Sequence, residues 1–303
     1  MARSSLIPTA LTLLAGLSLL GCTKAETEDS VVDSETTVQP GLNLDATQTL
    51  ERDSGATVVV YDFGDLWVHN YNDNPANGIG NATYVVESES SLVLIDAHFF
   101  PESAADFRAY ADSLGKPIDR ILITHGHPDH VSGLASSFDD VPSYSSAGVI
   151  SEALADSGSV IENTLGASAE IDGVNYSFEV RTGLEASEQV IITLPDYGVV
   201  ALGDLFYNKH HAVMNPGFDG WISALGELGS ADLSLFLAGH GPAATELSAV
   251  TEAMGYLETG RDTYATAADG EEFTATMLAA YPDYAGPFLL QLSVDEILYP
   301  AEE

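Results

Sequence analysis

One run of seven residues constrains this chain more than any other: Thr124-His125-Gly126-His127-Pro128-Asp129-His130. It holds three of the chain's eight histidines and one aspartate. It follows the apolar Ile121-Leu122-Ile123 and leads into small polar residues that can start a helix. Neutral imidazole offers a nitrogen lone pair at physiological pH, and a tight loop at the end of a rigid strand aims several imidazoles at one point. His125 and His127 are two apart, so in extended backbone they point the same way. Asp129 and His130 follow the turn at Pro128 and face a second point nearby. One loop can thereby serve two metal ions with two ligands each. The competing reading, a polar loop in which Asp129 caps the following helix, accounts for one residue of the four.

The 303 residues suffice for one large domain or two small ones with a sizeable core. Nine Lys and Arg face 46 Asp and Glu, a formal charge of −37. Such a chain repels a polyanion, so nucleic acid is excluded as a partner. The acidic surface favours solubility and suits a salty medium, where its self-repulsion is screened. At the N-terminus, Arg3 and the apolar run Leu11 to Leu20 read as an export signal too short to span a bilayer. Leu19-Leu20-Gly21-Cys22 resembles the bacterial lipobox, which implies that residues 1–21 are a lipoprotein signal peptide and Cys22 the lipidated residue. The expected location is the bacterial cell envelope, on its periplasmic or outer-membrane face, with the membrane as partner through the lipid anchor. Cys22 is the one cysteine, which excludes an internal disulfide and any thiolate metal ligand.

Residues 22–53, rich in Thr, Ser, Asp and Glu, read as a disordered acidic tether. The folded body starts near Thr57. Strands are expected at 58–61, 66–68, 81–87, 92–96 and 119–124, with a helix between Pro101 and Gly115 whose apolar face is Ala104, Phe107, Ala111 and Leu114. Beyond the histidine loop, strands are expected at 171–180, 189–194, 199–202 and 235–238, and a helix at 221–228. Leu247, Val250, Met254 and Leu257 form a helix face that Gly260 is expected to stop. Phe273, Met277 and Ala280 mark another helix, and 287–298 reads as a further strand. Strands in two batches, each followed by helices, suggest two packed sheets with helices outside.

His125-x-His127-x-Asp129-His130, then Gly203-Asp204, then Gly239-His240-Gly241 resembles the metallo-β-lactamase superfamily. The resemblance implies an α/β fold, a four-layer αββα sandwich, with a catalytic domain over 54–262 and a C-terminal helical and strand extension, 263–303, packed on it. It implies two divalent cations, zinc being the usual metal. His125 and His127 resemble ligands of the first; Asp129, His130 and His240 resemble ligands of the second; Asp204 resembles the carboxylate that bridges both. Asp129 and Asp204 are the residues expected to hold the catalytic geometry. Asp96 resembles the carboxylate behind the ligands that orients the loop. Most members carry a third histidine for the first metal, but no histidine lies between His130 and His210. Glu185 stands at that position, similar to the alkylsulfatase branch, with Glu188 as the rival. A glutamate there makes the site harder and admits manganese or iron.

The expected activity is metal-dependent hydrolysis of an ester-like bond in a small-molecule substrate: a carboxylic ester, lactone or sulfate ester. The alternatives are an iron-dependent redox member of the same superfamily and a metal-binding lipoprotein without catalysis. Tyr207, Asn208, His210 and His211, which follow Asp204, are the candidate pocket residues. His69, Trp67, Phe218 and Trp221 read as packing residues.

Overall fold

The structure, a computed structural model, describes residues 41–301. The expected signal peptide, Cys22 and residues 22–40 lie outside the described residues. In chain order, β1 (Asn43–Glu51), β2 (Thr57–Asp62), β3 (Trp67–Asn72), β4 (Ala82–Glu87) and β5 (Leu92–Ile95) pair antiparallel. Helix α1 (Pro101–Ser113) crosses over and returns the chain as β6 (Ile118–Leu122), parallel to β5. The histidine-rich loop follows, with the short helices α2 (Pro128–Val131) and α3 (Gly133–Ser137). Then β7 (Ser143–Ser145), α4 (Ala147–Asp156) and β8 (Asn163–Thr164) complete an eight-stranded sheet in sequence order. The second sheet is built from β9 (Ser168–Ile171), β10 (Val174–Thr182), β11 (Glu188–Leu194), β12 (Val199–Tyr207), then α5 (Phe218–Glu227) and β13 (Leu235–His240). Its order is β13-β12-β11-β10-β9, with β13 parallel to β12. Helices α6 (Leu247–Tyr264), α7 (Gly270–Ala280) and α8 (Pro287–Leu292) follow, and a π-helical turn over Ser293–Leu298 ends the fold.

Burial explains the layers. β12 is buried along its whole length and reads as a nearly continuous apolar run, as a central strand covered on both faces must. β10 alternates instead: Val174, Tyr176 and Phe178 point inward and Asn175, Ser177 and Glu179 outward. One apolar cluster joins both sheets, with Val58, Val68 and Val86 of the first and Val190, Ile192 and Leu237 of the second. The Tyr84 hydroxyl crosses the gap and donates to the Ala238 carbonyl at 2.7 Å. Phe107 of α1 packs on Tyr71 of the first sheet. A second cluster sets Phe206 and Phe236 of the second sheet against Trp221, Tyr256, Phe273 and Leu290 of the later helices. Two sheets lie inside and helices outside, as the αββα expectation requires.

The structure corrects several expectations. The tether does not reach residue 53, because Asn43–Glu51 is β1, paired to β2 through its backbone while its side chains stay largely exposed. No apolar period marks such a strand. The expected strand 171–180 is a hairpin: Asp172 and Gly173 take φ of 49° and 78°, the two positive values a tight two-residue hairpin turn needs. Gly260 does not stop α6, which runs on to Tyr264. Its missing side chain makes room for neighbours, since a Cβ there would lie 2.8 Å from Met214 Sδ. Residues 287–298 are helical, not a strand: Pro287 starts α8, and Leu289, Leu290, Val294 and Leu298 bury one helical face.

Asp106 on α1 ties the N-terminal strands to that helix. It accepts hydrogen bonds from Arg52 Nε (3.1 Å), the Ser54 hydroxyl (2.7 Å) and the Tyr71 hydroxyl (2.7 Å). Arg52 first, then Tyr71 and Ser54, outweigh burial and hold its carboxyl at a pKa of about 2. A depressed carboxylate contributes stability above its unfolded pKa of about 4 and loses it as pH falls towards the folded value. Asp106→Asn is therefore expected to cost about 2 kcal/mol at pH 7. In urea titrations the gap to the parent protein should close as pH is lowered from about 4 to about 2.

Candidate metal centre

The histidine loop is held from behind. Asp96, directly after β5, has a left-handed backbone with φ of 63°. Its carboxylate accepts from the Thr124 backbone N–H and hydroxyl, both at 2.8 Å, and from His130 Nδ1 at 2.9 Å. With Nδ1–H engaged there, His130 turns Nε2 towards the centre. The Val190 N–H donates to the Thr124 carbonyl at 2.7 Å, which fastens the loop of the first sheet to β11 of the second. Pro128 starts α2 with no side-chain cap, so the capping role considered for Asp129 is not the one it plays.

The remaining donors come from the second sheet. Asp204 lies inside β12, two sheet residues further than the strand was expected to run, and follows Gly203, where the pairing with β13 slips register. Gly203 has φ of 49°, and a Cβ on it would sit 2.6 Å from Thr124 Oγ1. A bulge of this kind re-aims the next side chain. Across the ladder, a Cβ at Gly239 would fall 1.9 Å from Asp204 Oδ1, so only glycine leaves the carboxylate its place. His240 ends β13 and donates from Nδ1 to the Ile79 carbonyl at 2.8 Å, again freeing Nε2. Glu185 sits in the loop between β10 and β11. Asn215 Nδ2 anchors that loop by donating to the carbonyls of Leu184 and Glu185, at 2.7 and 3.0 Å.

These side chains make two adjoining groups of four, His125–His127–Glu185–Asp204 and Asp129–His130–Asp204–His240, with candidate ligand atoms within 4.8 Å of one another in each. In the first, His127 Nδ1 lies 3.5 Å from Glu185 Oε1 and His125 Nε2 lies 3.7 Å from Asp204 Oδ2. In the second, His240 Nε2 lies 3.1 Å from Asp129 Oδ2 and His130 Nε2 lies 3.1 Å from Asp204 Oδ1. Asp204 alone belongs to both, and the Tyr207 hydroxyl donates to its Oδ2 at 2.6 Å. Glu188 is elsewhere: its carboxylate accepts from the Ser146 hydroxyl and from the Gly148 N–H at the start of α4.

The chemistry of the cluster suits divalent cations. His125 Nε2, His130 Nε2, Glu185 Oε2 and Asp204 Oδ1 are buried without a hydrogen-bond partner among the described residues, a costly state for polar atoms that face one another. Burial, and then Asp204 and Asp129, hold the Glu185 carboxyl well above the usual range. Burial opposes charge on His240 too, yet Asp204 and Asp129 outweigh it and push its pKa up to about 10. Burial likewise opposes charge on His130, and Asp204, Asp129 and Asp96 raise it well above its ordinary value. Three carboxylates here draw positive charge onto imidazoles that would otherwise be neutral. A bound cation would supply that charge and satisfy the orphaned atoms together.

A cavity of about 410 Å³ opens on the cluster, with His127, Asp129, Glu185 and Asp204 on its floor. Of the four expected pocket residues, none lines it. Tyr207 lies behind Asp204, stacked on His240 with ring centres 4.7 Å apart. Asn208 donates to the Pro242 carbonyl. His210 donates from Nδ1 to the Asn208 carbonyl, and burial lowers its pKa to about 4. His211 is hydrogen-bonded to the Tyr256 hydroxyl. Segment 208–214 is instead the dock for the C-terminal extension: the His211 N–H meets the Ala285 carbonyl, and the Ser293 hydroxyl joins Met214 N to the Ala212 carbonyl. What the residue pattern missed is the wall that this docking delivers, Phe288, Leu289, Leu292 and Ile297, together with Phe99. Phe99 is 41% exposed; its place three residues beyond Asp96 was the one local hint in the sequence. His69 bonds Tyr110 and Glu87, and His98 bonds Thr83 and Asn81; both are structural.

Comparison with known proteins agrees with this geometry. Residues 76–139, which include the whole histidine loop, match the family model described as the metallo-beta-lactamase superfamily. A Bacillus subtilis (strain 168) protein, the uncharacterized YobT, is 45% identical over 51 residues, 17% of this chain; the match spans only 22% of that relative's length. Among solved structures, a metallo-beta-lactamase from Pontibacter korlensis superposes with a TM-score of 0.55 at 18% identity, covering 70% of this chain and 99% of that one. One from Erythrobacter litoralis gives a TM-score of 0.54 at 16% identity with the same coverage. The FIM-1 enzyme of Pseudomonas aeruginosa, solved in its mono-zinc form, gives 0.52 at 18% identity over 71% of this chain and 96% of its own. At these identities the structures speak for the fold, and the match over residues 76–139 speaks for the sequence. The fold is that of the metallo-beta-lactamases, and the segment that carries the histidine loop matches the metallo-beta-lactamase superfamily model.

Proposed function

We propose that this protein is a metal-dependent hydrolase that uses two neighbouring divalent cations, zinc in the first instance, to split an ester-like bond. The reading is carried by the four buried polar atoms of the cluster that have no hydrogen-bond partner among the described residues. His125, His127, Glu185 and Asp204 would hold one cation, and Asp129, His130, Asp204 and His240 the other. When bound, the cations lower the pKa of water towards about 7 and stabilise negative charge on the scissile group. The protein's own contribution is orientation. Asp96 and the Ile79 carbonyl fix the tautomers of His130 and His240. Tyr207 steadies the shared carboxylate of Asp204 from behind, and Asn215 holds the loop that carries Glu185. Asp129, with about a fifth of its side chain exposed at the cavity, is assigned to receive the proton that the attacking water gives up. The anionic Glu185 in place of a neutral imidazole makes its site harder, so manganese or iron is admissible there. At the N-terminus, lipidation of Cys22 would tether this activity to the bacterial envelope.

Elemental analysis should find close to two divalent cations per reconstituted chain. Glu185→Gln should lose about half of this, whereas Glu188→Gln, whose side chain serves α4, should keep both. Asp96→Asn should weaken metal affinity by about 10- to 100-fold in calorimetric titrations, because the His130 tautomer is no longer fixed. A screen of ester, lactone and sulfate-ester chromogens should show turnover in the metal-loaded protein and none in His125→Ala, His127→Ala or Asp129→Ala. Full activity in any of these three would overturn the assignment.

A further inference from the structure

The cavity over the metal cluster is two-sided. Its floor is ionic, and its upper wall is made by Phe99, Phe288, Leu292 and Ile297, apolar side chains that are respectively 41%, 60%, 37% and 37% exposed. These come from distant parts of the chain, the loop after β5 and the C-terminal helix, and converge on one opening. Isolated exposed apolar residues are ordinary, but several lining the mouth of one cavity mark a binding surface.

The second observation concerns charge. Among the described residues, no lysine or arginine lines the cavity. Each described cation is paired with carboxylates elsewhere: Arg52 with Asp106, Arg108 with Asp112 and Asp140, Lys116 with Glu87, Arg120 with Asp119, Arg181 with Glu179 and Glu227, Lys209 with Glu252, and Arg261 with Asp219 and Asp262. An anionic substrate would therefore find no side-chain cation in the cavity, and it would approach a chain of net charge −37. An uncharged substrate pays neither penalty.

From these two observations we infer that the substrate is an uncharged carboxylic ester or lactone with an apolar chain, and that Phe99, Phe288, Leu292 and Ile297 hold the chain while the bond is cut. The inference rests on the hydrolase reading above and narrows it away from sulfate esters, phosphate monoesters and carboxylate-bearing lactams. In the reaction, the oxygen of water bonds to the acyl carbon and the acyl carbon–oxygen bond to the alcohol breaks. One proton of water ends on the departing alcohol oxygen, and the other is released from the new carboxylic acid.

The test measures kcat/KM of the metal-loaded protein on p-nitrophenyl acetate, butyrate, hexanoate and octanoate, and on p-nitrophenyl sulfate. If the chain is buried, kcat/KM should rise by up to about fourfold per methylene, the equivalent of about 0.8 kcal/mol. The sulfate should be the poorest of the set. Phe288→Ser and Leu292→Ser should each cut the octanoate-to-acetate ratio by about tenfold; because the ratio is internal to one preparation, a partly folded variant does not disturb it. Independently of turnover, the neutral fluorophore N-phenylnaphthylamine should bind the purified protein and its sulfonated analogue should bind more weakly, with Phe288→Ser weakening the neutral probe. A flat or falling chain-length profile with acetate still hydrolysed, or preference for the sulfate, would overturn the inference and leave the hydrolase reading standing. Absence of metal-dependent turnover on every substrate would overturn both.

Discussion

Three carboxylates and four imidazoles meet in a buried corner of this protein, and much of the nearby architecture keeps them there. Left alone, such a group is unfavourable: the carboxylates repel one another, and burial penalises every charge. These side chains are therefore fixed by partners outside the cluster. Asp96 is the main one, since one carboxylate binds the Thr124 backbone, the Thr124 hydroxyl and His130. The Ile79 carbonyl does the same for His240, and Tyr207 for Asp204. Asp96 and Ile79 turn an imidazole nitrogen inward without competing for it, whereas Tyr207 holds Asp204 by Oδ2 itself.

The two sheets share the task. The first supplies the histidine loop and Asp96, and the second supplies Glu185, Asp204 and His240. Their junction has to be close, and this sets residue size as much as charge. Gly203 and Gly239 lie where a Cβ would strike Thr124 or the Asp204 carboxylate. The Val190–Thr124 hydrogen bond closes the seam beside them. The geometry of the cluster thus rests on strand packing, and a change of one methyl group in this corner would displace a carboxylate.

The C-terminal extension belongs to the same design. Its docking occupies the backbone of segment 208–214, while Tyr256 of α6 holds the His211 ring, and the outer residues of the extension then form the apolar side of the cavity. A polar loop rich in histidine looks like a substrate-binding loop when read alone. Here burial keeps His210 near pKa 4, and its ring nitrogen is spent on the Asn208 carbonyl, so it serves packing. Selectivity for an apolar chain would then reside in the last helices, and the proposed chemistry in the two sheets.

Much of the fold was legible because its central strands are buried on both faces and leave unbroken apolar runs, as β5 and β12 do. Strand β1 left no such mark, since backbone pairing holds it and not an apolar face. Helix α8 was misread because a short apolar run has the same composition in strand and helix. The histidine run, by its spacing, determined by itself that a paired metal site was the reading to test, because ligand types so close together on one loop have few other uses. Only the tertiary structure set Glu185 in the cluster and Glu188 against α4, drew Asp204 and His240 alongside the loop, and brought Phe288 over the cavity. Those outcomes depend on how strands from distant parts of the chain register and pack, and no local pattern of residues records that.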